Sequence, residues 1–155
     1  MNTNRAETSG VVAPPPLLYA VPLAAGLVVQ HYRPQPVLPS PAGRVLGIGF
    51  VGLGFIAFAA VAAFRRAGTS PNPWKPVSAL VVSGPYRWTR NPMYVGLTLW
   101  YLGITAWVNA LWPLLALPMA LLTMHYGVIR REEAYLERQF GEEYRRYKAT
   151  VRRWL

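Results

Sequence analysis

At 155 residues the chain has the length of a single domain. It is 53% hydrophobic and 14% charged, with six Trp, nine Tyr and five Phe, and a charged fraction so far below the quarter or so usual in soluble domains points to an integral membrane protein. The formal charge of +10 sits on Lys and Arg near the ends of apolar runs, which suits anionic lipid headgroups; no base-reading motif accompanies it, and nucleic-acid binding is set aside.

The side-chain inventory narrows the chemistry. Cysteine is absent, which excludes disulfides, thiol nucleophiles and thiolate metal sites. Aspartate is absent too, and the only histidines, His31 and His125, are far apart, so no catalytic metal is expected. Apart from Glu7, every carboxylate lies between Glu132 and Glu143.

Taken in order, residues 1–16 are polar and then proline-rich, and read as a flexible N-terminal lead-in. Leu17 to Gln30 is a short apolar run containing Pro22; a signal peptide is the alternative, but Arg5 alone supplies a basic start, and a retained first helix is favoured. Beyond a proline-rich loop, Val45 to Phe64 is twenty residues without a charge, enough to cross a hydrocarbon core of about 30 Å. Its Gly47, Gly49 and Gly52 match GxGxxG, but no strand precedes them, and close helix packing is the preferred reading.

Prolines 71, 73 and 76 preclude regular helix after Arg66, and Ser78 to Val82 is a short apolar piece expected in the membrane interface. From Arg90 to Arg130 there is no charge, a gap too long for one span; Trp107-Val108-Asn109 marks a hairpin turn between helices of roughly Pro92 to Val108 and Ala110 to Ile129. The expected fold is all-α: two membrane hairpins (17–66 and 92–129), a cytoplasmic or interfacial segment between them (67–91), and a cytoplasmic amphipathic tail (130–155). Five basic residues from Arg65 to Arg90 and eight from Arg130 onward, against Arg33 and Arg44 opposite, put both termini in the cytoplasm, as for a bacterial inner-membrane protein.

In the tail, Glu133, Leu136, Phe140, Tyr144, Tyr147, Val151 and Trp154 share one face, with Gly141 breaking the helix midway. Glu133 thus falls on an apolar stripe, where a carboxylate needs a positive or hydrogen-bonding partner. His125 reads as an interhelical hydrogen-bond donor. Around Arg87 and Arg90, the residues Tyr86, Trp88 and Tyr94 offer aromatic faces beside cations and a helix start, able to hold a flat heterocycle and a carboxylate together. The bland reading of the same residues is an Asn91 cap, a Pro92 first turn and ordinary arginine anchors.

GPYRWTRNPMYVG at 84–96, the charge-free hairpin, and EEAYLERQFGEEYRRYKATVRRW at 132–154 together resemble the isoprenylcysteine carboxyl methyltransferases and their phospholipid methyltransferase relatives. The resemblance covers about residues 44–154. It implies S-adenosylmethionine as cofactor, with contacts from Ser78, Ala79, Leu80 and Val81, from Tyr86, from Asn91, Pro92, Met93 and Tyr94, and from Glu132. It also implies membrane lipids as surroundings and a lipidic or small methyl acceptor; no protein partner is indicated. Arg131 and Glu133 are the candidates for orienting the acceptor. Two departures stand out: the family's His-Pro is Asn91-Pro92 here, and the position of its substrate-handling arginine falls on Val128. They leave the acceptor open between carboxyl, amine and thiol, with a non-catalytic membrane subunit of the same fold as the alternative.

Overall fold

The computed structural model describes residues 8–155. Met1 to Glu7, which include the Arg5 used in the charge count and the start of the expected lead-in, lie outside the described residues.

Among the described residues every regular element is helical. α1 (Pro15–Tyr32), α2 (Ser40–Gly54), α3 (Ile56–Arg66), α4 (Pro92–Val108), α5 (Leu111–Met124), α6 (Arg130–Phe140) and α7 (Glu142–Thr150) are joined by a short 3-10 turn at Gly84–Arg87 and a π turn at His125–Ile129. α4 is the central helix: α2 and α3 pack along it, and α1 packs on both α4 and α5. Close approach depends on small residues. A Cβ on Gly96 would come within 2.6 Å of Ala57 Cβ, and one on Gly26 within 2.6 Å of the Pro113 backbone. Of the GxGxxG glycines only Gly47 serves this purpose; a side chain at Gly49 or Gly52 would meet open space.

Two stretches are long and apolar enough to cross a membrane, Pro41–Arg66 and Leu111–Phe140. The first comprises α2 and α3, interrupted at Phe55, whose N–H reaches back three residues to Gly52 O at 3.3 Å. In the second the apolar part, residues 111–129, already suffices for a core of about 30 Å, and charged α6 continues beyond it. Outward-facing Val21, Val28, Ile48, Leu53, Phe58, Leu115 and Met119 are exposed along α1, α2, α3 and α5, an arrangement that water would penalise and lipid would not.

The two hairpin loops are tied by Asn109. It takes the left-handed backbone at φ 55°, which asparagine tolerates; its side-chain oxygen accepts from the N–H groups of Val37 and Leu38, both at 2.9 Å.

Residues 8–14 are not a loose lead-in. Val11 is buried in the core cluster with Tyr19 and Met124, and Val12 N–H donates to Gly127 O at 3.2 Å. α1 is likewise built into the bundle, the Tyr19 hydroxyl lying 2.8 Å from Thr98 Oγ1 on α4. At the other end of the chain, Gly141 adopts φ 52° and separates α6 from α7, a conformation open to glycine at little cost.

Candidate active site

A pocket forms where the 69–81 loop, the 3-10 turn, the start of α4 and the helices α6 and α7 meet. Each of these elements brings polar or aromatic side chains to the pocket. In the loop, Asn72 caps its own turn by accepting from Trp74 N–H at 2.9 Å, Thr69 Oγ1 accepts from Ser78 N–H at 3.0 Å, and the Tyr135 hydroxyl accepts from Val77 N–H at 3.1 Å. The last bond fastens the loop to α6.

At one end of the pocket, Tyr94 on the first turn of α4 donates its hydroxyl to Glu132, 2.8 and 2.9 Å from the two carboxylate oxygens. Burial pushes the Glu132 carboxyl up to about 7, partly offset by that hydrogen bond and reinforced by the neighbouring Glu133 charge. Tyr86 lies close by with its ring edge-on to Phe64 at 5.5 Å. Among the described residues its hydroxyl is buried without a hydrogen-bond partner, and its acidity is suppressed first by burial and then by the Glu132 charge. Its carbonyl accepts from the Tyr147 hydroxyl at 2.8 Å. Both polar groups therefore retain capacity toward a ligand.

The other end is an ion cluster. Arg153 donates through Nε to Glu133 Oε1 at 2.9 Å and through Nη2 to Oε2 at 2.7 Å, while Arg90 Nη1 stands 3.2 Å from Oε1. The partners that the stripe position of Glu133 demanded are thus Arg90 and Arg153. Apart from that ion pair, Arg90 Nε and Nη1 have no hydrogen-bonded acceptor among the described residues. The C-terminal segment carrying Arg153 is itself pinned to the 89–91 turn: Arg90 N–H donates to Arg152 O at 2.9 Å, and Thr89 Oγ1–H and Asn91 Nδ2–H donate to Arg153 O at 3.1 and 2.9 Å.

Of the residues expected at the site, Ala79, Leu80, Val81, Tyr86, Asn91, Met93, Tyr94, Glu132 and Glu133 line this pocket. Ser78 is exposed and contributes its N–H to Thr69. Pro92 is buried beneath, at the first position of α4. Arg131 points elsewhere, donating to Gly10 O at 2.9 Å. Asn91 does not cap α4 through its side chain, whose Nδ2–H donates to Arg153 O; its backbone carbonyl accepts from Tyr94 N–H and Val95 N–H, both at 3.0 Å. Trp88 and Arg87 are exposed, so of the expected aromatics only Tyr86 and Tyr94 line the pocket, beside Phe64, Tyr135, Tyr144 and Tyr147. Val128 is fully buried in the core. His125 lies edge-on to Tyr126 at 4.8 Å and lines a separate apolar groove between α4 and α5 that ends at Trp154 and Leu155.

Sequence reasoning passed over Ser9, Tyr135, Tyr147 and Arg153. Tyr147 stood on the apolar stripe and Arg153 was one among many arginines; nothing marked Ser9.

No metal-binding cluster of three or more His, Cys, Asp or Glu exists among the described residues. The residues fit a cofactor with hydrogen-bond donors and an aromatic base: a half-buried carboxylate, a hydroxyl without a partner among the described residues and two tyrosine rings converge.

The family model of phospholipid methyltransferases matches residues 42–143, about two thirds of the chain. A protein of Haemophilus influenzae without assigned function is 46% identical over 63 residues, covering 41% of this chain and all of that one. The protein-S-isoprenylcysteine O-methyltransferase of Schizosaccharomyces pombe is 35% identical over 72 residues, 46% of this chain but only 30% of the fission-yeast enzyme. No solved structure matches. The matched region takes in the loop, the Tyr86 turn, α4 and the Glu132-Glu133 pair, and on that extent the chain belongs to the phospholipid methyltransferase family.

Proposed function

We propose that the protein is an S-adenosylmethionine-dependent membrane methyltransferase acting on a small or lipidic acceptor presented from the bilayer. The observation that carries this reading is the junction of Tyr94, Glu132 and the unpartnered Tyr86 hydroxyl in one pocket. Bound S-adenosylmethionine supplies a methyl group already activated on a sulfonium. Little is then asked of the protein beyond alignment and exclusion of water, since the displacement is in line and loses charge as it proceeds. Glu132 accepts hydrogen bonds from cofactor hydroxyl or amino groups, the Tyr86 hydroxyl supplies a donor, and the two rings flank the adenine or sulfonium. Arg90, whose Nε lacks an acceptor among the described residues, holds the cofactor carboxylate beside its ion pair to Glu133.

The same reading has four spans, α1, α2 with α3, α4, and α5, both termini in the cytoplasm, and the pocket at the cytoplasmic surface of a bacterial inner membrane. The distribution of Arg and Lys supports that orientation. The groove between α4 and α5 gives a lipidic acceptor an apolar approach. Its reactive group is a carboxyl, amine or thiol; an amine requires deprotonation before attack, so its methylation rises with pH, whereas carboxylate methylation is flat above neutrality.

A second reading, a non-catalytic subunit retaining the fold, draws on Val128 in the core and on Glu133, whose oxygens are both taken by arginines. Calorimetric titration of S-adenosylmethionine into the protein in lipid nanodiscs separates the two. Saturable micromolar binding, lost in Glu132→Gln, supports the enzyme; a folded sample that binds nothing leaves the subunit.

A further inference from the structure

The segment before α1 reaches four parts of the molecule within four residues. Ser9 Oγ–H donates to Pro73 O at 2.8 Å, which brings Ser9 into the pocket lining. Gly10 O accepts from Arg131 Nη1 at 2.9 Å, Val11 enters the bundle core, and Val12 N–H donates to Gly127 O in the π turn at 3.2 Å. The fit at the last contact is tight: a Cβ on Gly127 would stand 2.6 Å from Val12 Cγ2. Gly10 makes the turn between the two ends of the segment at φ 62°, where a residue with a Cβ would be strained.

The segment therefore joins the loop on one side of the pocket to α6, the helix that carries Glu132 and Glu133. Among the described residues, three hydrogen bonds and the side chains of Val11 and Val12 hold it. That is a small fraction of what holds the helices, so it can open while the bundle stays folded. Arg131 is exposed, stands next to the pocket carboxylate in sequence, and spends its guanidinium on this segment.

We propose that Ser9–Val12 is a latch over the cofactor pocket, that Arg131 is the positioning residue holding it shut, and that ligand in the pocket and a closed latch stabilise each other. The proposal rests on the pocket being the S-adenosylmethionine site. Cofactor exchange then requires local release of the N-terminal segment, and residence time is set by the latch, not by the pocket groups alone. By linkage, closing the latch tightens binding by the same factor by which bound ligand favours closure.

The native chain has no cysteine, so Val11→Cys provides a sole thiol at a buried position of the latch. In nanodiscs, saturating S-adenosylhomocysteine slows its maleimide labelling about tenfold or more; adding Arg131→Ala speeds labelling of the ligand-free protein, and Arg131→Lys restores it. In the otherwise native chain, tritiated S-adenosylmethionine dissociates about tenfold faster from Arg131→Ala, while Arg130→Ala, whose guanidinium lies over the Tyr126 ring, dissociates like the native protein. The dissociation arm stands even if Val11→Cys folds poorly. Ligand binding that leaves labelling unchanged, or an unaltered dissociation rate in Arg131→Ala, overturns the latch and leaves the cofactor site standing. Failure of the native protein to bind either ligand removes both.

Discussion

Glu132 and Glu133 are neighbours on the first turn of α6, yet their surroundings are opposites. Glu133 has both oxygens engaged by Arg153 and a close ion pair to Arg90, and through them it ties α6 to the C-terminal segment and the 89–91 turn. Glu132 has one hydroxyl partner, is half-buried, and keeps its proton to about pH 7. A buried charge that is fully paired is architecture, whereas one left short of partners beside an orphaned hydroxyl is a place for a ligand. The roughly 100° per residue of a helix is what sends two adjacent carboxylates to such different neighbours.

The contrast predicts opposite outcomes for similar substitutions. Glu133→Ala should be the most damaging, because it strands Arg90 in a buried site; removing one partner of such a pair costs about 3–5 kcal/mol, read as a lowered unfolding midpoint. Recovery of normal stability in Glu133→Ala would erase the distinction. Glu132→Gln should leave that midpoint unchanged or raised, while S-adenosylhomocysteine affinity falls by about tenfold or more, since hydrogen bonds to a charged group contribute about 1.5–3 kcal/mol.

Proton binding sharpens the same difference. The folded chain holds the Glu132 proton more tightly than an unfolded chain does. The group therefore favours folding at low pH, and this contribution is lost as pH rises from the usual carboxylate range near 4.5 through about 7. Ligand affinity should run the other way, increasing through about pH 7 as the carboxylate ionises and levelling above it; calorimetry across that range, repeated on Glu132→Gln, should show the dependence vanish in the variant. Smaller again is Tyr86→Phe, expected to weaken ligand binding a few-fold without lowering stability, because the hydroxyl it removes has no partner among the described residues. Trp88→Ala, on an exposed side chain, should change stability by about 0.5 kcal/mol or less and leave binding untouched.

Much of the site was legible because its signals are local. Pro92 after Asn91 placed the start of α4, Asn109 placed the hairpin turn, and the three- and four-residue spacing in the tail put Glu133 on the packed face and obliged it to find a cation. Which cations answered was not legible, since Arg90 and Arg153 lie 43 and 20 residues away and sixteen Lys and Arg were on offer. Asn91 shows how a local rule is overridden: its side-chain oxygen would cap α4, but the amide is oriented to donate its Nδ2–H to the Arg153 carbonyl.

The sequence by itself determined an all-helical, apolar protein with one polar, carboxylate-bearing patch, because hydrophobic runs, prolines and glycines act on neighbouring residues through fixed backbone geometry. Only the tertiary structure decided that Tyr86, Tyr94 and Glu132 share a pocket, that Arg131 faces away from it, and that residues 9–12, apparently a loose lead-in, close against the 69–81 loop and α6. Those outcomes depend on contacts between residues far apart in the chain, where packing and competition for hydrogen bonds choose among partners that the sequence presents as equivalent.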